Sequence, residues 1–188
     1  MEANYRSDLI NLYNSALVIM DVQGKLAQMM FESKLLHEKI KTLIKGAELL
    51  AIPIFWLEQI PEKIGNTSND IAELLTPNVQ PIAKKHFSAW KNDDFKQALE
   101  HSGKTHLLVA GIEAHICVYQ TCKDLQNNGF QTHIVRDAIS SRTETNKVCG
   151  IKMMLDCGAN LSNVESALFE LQHVAEGERF RQLIKLVK

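Results

Sequence analysis

Apolar residues along this chain fall into two kinds of pattern that take turns. Short continuous runs, ALVIMD at 16–21, IPIFWLE at 52–58 and HLLVAG at 106–111, read as strands buried on both faces. FQTHIVRD at 130–137 reads the same way, with weaker runs in PIAKK at 81–85 and ANLSN at 159–163. Between them the apolar positions take helical spacing: Leu36, Ile40, Leu43, Ala47 and Leu50, then Val118, Cys122 and Leu125, then Val148, Ile151 and Leu155. IAELL at 71–75 is a short helix stopped by Thr76 and Pro77, and Asn92, Asp93 and Asp94 open another that ends by Gly103. Helices over 166–173 and 180–187 finish the chain.

Six strands alternating with helices call for parallel pairing through right-handed crossovers. The predicted fold is an α/β class, three-layer α/β/α sandwich around a Rossmann-like sheet of order 3-2-1-4-5-6. No repeat or linker divides the 188 residues, so 1–188 is read as one domain. Ligands of such sheets sit beyond the carboxyl ends of the strands, where strand order reverses. That directs attention to Asp21 and Gln23 after the first strand, to Gly111, Glu113, His115 and Cys117 after the fourth, and to Arg136 and Asp137 after the fifth.

Composition narrows the classes further. Hydrophobic residues make up 45% and charged residues 23%, ordinary globular values. Lys plus Arg number 21 against 22 Asp plus Glu, without a block of like charge, so a nucleic-acid partner is not expected. No run has membrane-spanning length, and the opening stretch MEANYRSDLINLYNSALVIMD lacks the basic start and apolar centre of a signal peptide. A cytoplasmic location without a membrane partner is the expectation. There the four cysteines, at 117, 122, 149 and 157, should be reduced thiols, and they contain no C-x-x-C pair. The seven histidines form no pair at metal-binding spacing on a predicted helix, so neither a metal nor another cofactor is expected.

Position separates two of the cysteines. Cys122 lies on the apolar stripe and reads as a small hydrophobe. Cys117 lies off it, in the first turn of the helix, where helix-end N–H groups stabilise a thiolate and lower its pKa. Packing beneath the loop is an equally open reading of Cys117. Asp21 could equally be a turn former, and Lys84 and Lys85 surface charges.

The segments LVIMDVQ, KKHFSAW, GIEAHICVYQTCKDL and VRDAISSR, in that order and at that spacing, resemble the isochorismatase-like family of cysteine hydrolases. The likeness runs from about Leu17 to the end of the chain; EQIPEKIGNT and CGANLSNVESALFEL further resemble the subgroup named for containing an isochorismatase domain. The resemblance implies an Asp-Lys-Cys triad on Asp21, Lys84 and Cys117, with Lys84 favoured over Lys85 by its spacing to Phe87-Ser88. It also implies a cis peptide between Ile112 and Glu113, with the Glu113 and Cys117 N–H groups aimed at an oxyanion. The implied activity is metal-independent hydrolysis of a small amide or related acyl compound through a Cys117 thioester, in a homo-oligomer.

WLEQIPEK stands where nicotinamidase-type members carry the Asp-x-His of a metal site, which lowers the expectation of nicotinamidase activity. The presence of Cys117 also argues against the vinyl-ether reaction for which the family is named. Gln23, Glu113, Phe31 and Trp90 are expected to meet the small-molecule substrate, with Trp56 weighed beside them. Two other classes stay open: a catalytically silent binding or assembly protein on the same fold, and a thiol redox role. For the latter Cys117 lacks an evident resolving partner, because Cys122 lies about 140° further around a helix.

Overall fold

The computed structural model describes residues 9–188, so the first eight residues of the charged opening stretch lie outside the described residues. Its strands are β1 (Ser15–Met20), β2 (Ile54–Gln59), β3 (Ile82–Lys84), β4 (His106–Ile112), β5 (Gln131–Ser140) and β6 (Asn160–Ser162). They form one sheet of order β3-β2-β1-β4-β5-β6, and every pairing is parallel. The helices are α1 (Gly24–Gln28), α2 (Ser33–Leu49), α3 (Pro61–Ile64), α4 (Asn69–Leu75), α5 (Asp93–Ser102), α6 (Tyr119–Asn127), α7 (Glu144–Asp156), α8 (Val164–Gln172) and α9 (Gly177–Val187). Among the described residues no helix is long and apolar enough to cross a membrane.

β1 and β4 are buried along their whole length because helices cover both faces of the sheet. Alternate side chains therefore enter two different cores. Leu17 and Ile19 join Ile40, Leu43 and Leu168 on one side; Ala16, Val18 and Met20 join Phe95, Leu107, Val118 and Cys122 on the other. Pairing of Met20 with Gly111 brings the carboxyl ends of β1 and β4 side by side. Gly111 has φ +119°, and a Cβ there would lie 2.0 Å from the Met20 carbonyl oxygen, so this junction requires glycine.

Two details depart from the sequence expectation. β5 runs on to Ser140, with a register shift against β4 between Val109 and Gly111, so Arg136 and Asp137 lie inside the strand and not beyond it. α7 also turns a different face inward. Val148 and Leu155 of its expected stripe are exposed, whereas Gly150 and Met154 are buried. The reason is close backbone contact: a Cβ on Gly150 would come within 2.5–2.7 Å of backbone atoms of Ala114 and His115. Gly150→Ala is accordingly expected to destabilise the protein by about 2 kcal/mol, read by urea denaturation, because backbone must give way to the added methyl.

Candidate functional site

β1 delivers Asp21 at its carboxyl end, with φ 57°, a left-handed conformation that aspartate tolerates better than most residues. The side chain is almost wholly buried. Its Oδ2 accepts a hydrogen bond from Lys84 Nζ at 2.7 Å. The other oxygen, Oδ1, is buried and accepts no N–H or O–H hydrogen bond among the described residues, and the Cys117 thiol interacts with the same carboxylate.

Lys84, the last residue of β3, is 1% exposed. A buried ammonium is tolerated only when its N–H groups are matched. Here Nζ donates to Asp21, to Gln59 Oε1 at 2.6 Å and, more loosely, to the carbonyls of His86 and Phe87 at 3.3 and 3.2 Å. Lys85 is exposed, so of the two lysines it is Lys84 that reaches Asp21.

After β4 the Ile112–Glu113 peptide is cis, and Ala114–Val118 form a π turn before α6 begins. The Glu113 carbonyl accepts from the N–H groups of Ile116 and Val118, the residues flanking Cys117. π turns of this kind recur at functional sites. The end of β5 and the residues after it fasten the turn: Arg142 donates from its backbone N and Nε to Glu113 Oε2 at 3.2 and 3.1 Å, and His115 Nδ1 lies 2.9 Å from Ser141 Oγ.

Burial sets the electrostatics. It raises the Asp21 pKa above the usual carboxylate value, against the opposing charge of Lys84. It also pushes the Cys117 thiol up to about 12, with the neighbouring Asp21 charge adding to the rise and Lys84 opposing it. The expectation of a lowered pKa at a helix start is therefore corrected: Cys117 sits in a buried π turn, where lost hydration and an adjacent carboxylate outweigh the charge of Lys84. Cys122 is fully buried in the core, as its position on the stripe indicated.

The expected pocket residues divide. Gln23 is fully buried, gives both amide hydrogens to the carbonyls of Gln59 and Gly65, and accepts the Gln59 N–H at 2.6 Å. It has no N–H left for a substrate; it clamps the exit of β2. Trp90 is 8% exposed and packs edge-on to Phe130 in the second core, and Trp56 is buried with its Nε1 donating to Thr67 Oγ1, so both serve packing. Phe31 is half-buried and docks by its backbone on Ser140 and Ser141, beside a cavity of about 170 Å³ that also includes Arg136 and Lys147. The Glu113 carboxylate is engaged by Arg142, which leaves its backbone as the part at the turn.

Gln59 escaped the sequence reading. It binds Lys84 through Oε1 and the Lys85 carbonyl through Nε2, and its signal was positional, because the parallel register sets it opposite Lys84. Among the described residues no group of three or more His, Cys, Asp or Glu side chains is arranged to hold a metal ion.

The sequence profile of the isochorismatase domain matches residues 15–166. A secreted isochorismatase effector, Isc1 of Phytophthora sojae, is 31% identical, with 94% of this chain and 85% of that protein aligned. Human isochorismatase domain-containing protein 2 is likewise 31% identical, over 93% of this chain and 83% of its own. Among solved structures, the MAR1 ribonuclease from Caenorhabditis elegans superposes with a TM-score of 0.90 at 32% identity, covering 96% of this chain and 92% of that one.

Proposed function

Since this chain belongs to the isochorismatase family of hydrolases, we propose that it hydrolyses a small amide or related acyl compound with Cys117 as nucleophile. The observation that carries the reading is the buried set of Lys84, Asp21 and Cys117, in which Lys84 Nζ holds Asp21 Oδ2 at 2.7 Å and the Cys117 thiol interacts with the same carboxylate.

Asp21 takes the thiol proton as sulfur attacks the carbonyl carbon, so the thiolate exists only in the reacting complex. The N–H groups of Glu113 and Cys117 receive the oxyanion, and each such donor contributes about 3 kcal/mol to the transition state. Collapse breaks the bond to the leaving amine, which departs with the proton from Asp21, and a Cys117 thioester remains. Water then attacks the thioester, Asp21 takes its proton and returns it to sulfur, and the acid leaves. Lys84 holds Asp21 in place throughout, while Gln59 and the Gln23 clamp position Lys84.

This scheme fixes a pH profile. Protonated Asp21 cannot accept a proton, so kcat/KM falls as pH falls through the raised Asp21 pKa, and its midpoint lies above the ordinary carboxylate value. No further activation is expected near about 8.5, where an ordinary thiol ionises. A profile rising through that region would show a free thiolate mechanism instead.

The decisive experiment is mass spectrometry of the protein quenched during turnover of an amide panel, with peptide mapping. An acyl adduct on Cys117 supports the reading. Absence of turnover together with an unreactive Cys117 would favour a silent binding or assembly protein. RNA belongs in the same panel, because the nematode relative is described as a ribonuclease; cleavage that survives Cys117→Ala would point there. Assembly into a homo-oligomer, with Val148, Leu155 and Leu161 as exposed apolar contacts, is expected to appear in sedimentation velocity.

A further inference from the structure

The loop that holds Lys84 has an outward side. Lys84 Nζ draws the His86 and Phe87 carbonyls inward, while Lys85, His86 and Phe87 themselves are exposed, Phe87 to 54%. Together with Lys91 and with Lys123 of α6 they border a cleft of about 510 Å³. Among the described residues that line it the one acid, Asp124, already accepts a hydrogen bond from Ser88 Oγ at 2.7 Å and pairs with Lys91 at 3.7 Å. Lys123 Nζ donates to Tyr119 Oη at 3.5 Å, but among the described residues no carboxylate of this cleft pairs with Lys123 or Lys85, although the protein as a whole carries a net charge of only −1.

Unbalanced ammonium groups beside an exposed aromatic face suit an anion with a planar body, because the ring can stack while the cations take the charge. A phosphate fits better than a carboxylate, since its larger charge and additional oxygens use more than one lysine. The volume is that of a small-molecule site. We propose that it binds an aromatic phosphate of nucleoside-monophosphate size, with the phosphate on Lys85 and Lys123 and the ring on Phe87. The proposal does not depend on the chemistry of Cys117.

The test is calorimetric titration of the full chain with AMP, adenosine and inorganic phosphate, and with a short single-stranded oligoribonucleotide, at several salt concentrations. AMP should bind one to one, more tightly than adenosine or phosphate, and more weakly as salt rises. Phe87→Ala should weaken AMP about fivefold or more while leaving phosphate binding unchanged. The double variant Lys85→Gln/Lys123→Gln should weaken both ligands and flatten the salt dependence. All three positions are exposed, and circular dichroism will verify that the variants are folded. No saturable AMP binding, or AMP binding unmoved in folded variants, overturns the proposal. An oligoribonucleotide that binds far more tightly than AMP overturns it in favour of a polymer surface.

Discussion

Cys117→Ala is expected to lower kcat/KM for an amide substrate by about four orders of magnitude or more, with little change in melting temperature. Loss of the nucleophile removes the covalent route entirely, whereas the truncated side chain removes one sulfur from a turn held by backbone bonds and by Arg142. Cys122→Ala should behave in the opposite way. It trims a fully buried side chain packed in the second core, so it should cost about 1–2 kcal/mol of stability and leave kcat nearly unchanged. Cys149 is free and exposed, so any labelling by thiol reagents has to be assigned by peptide mapping. Turnover at the parent rate in Cys117→Ala would remove this residue from the mechanism.

Strand order and the junction of β1 with β4 were legible because burial on both faces writes continuous apolar runs, and four such runs with two weaker ones at the sheet edges, separated by helices, leave few topologies. Helix orientation was less so. α7 carries an apolar stripe on Val148, Ile151 and Leu155, yet the contact that decides its rotation is made by Gly150, which has no side chain to register in a hydrophobic pattern. Cys117 shows the same limit in electrostatics. Sequence places it at a helix start, which suggests a lowered pKa; burial beside Asp21 reverses the sign, and burial of that particular atom depends on tertiary packing. Gln23 and Gln59 make the point for polar residues. Both stand just after or at the end of strands where a substrate contact is expected, and both instead satisfy backbone and side-chain groups that keep Lys84 in register with Asp21.

Breaking the buried Asp21–Lys84 pair should cost stability as loss of Cys117 costs activity. Lys84→Met is expected to destabilise the fold by about 3–5 kcal/mol at neutral pH, because it leaves the buried Asp21 carboxylate without its cation. The sign with pH follows from proton linkage. A carboxyl whose folded pKa is raised binds more protons folded than unfolded, so stability is lost as pH rises from the unfolded carboxylate value through the raised one. The variant should therefore regain stability in mild acid. Asp21→Asn leaves the ammonium on Gln59 and two carbonyls and should also cost stability, whereas Asp21→Asn/Lys84→Met removes both charges and should lose less than the sum of the single changes. All three variants should be inactive. Urea denaturation across pH reads the cycle. A coupled cycle with an inactive but comparatively stable double variant would show that the buried pair is maintained for chemistry, since removing both charges would then relieve most of its cost to the fold. Additive losses would mean that the two side chains act independently, and Lys84 would no longer be the residue that holds Asp21 for Cys117.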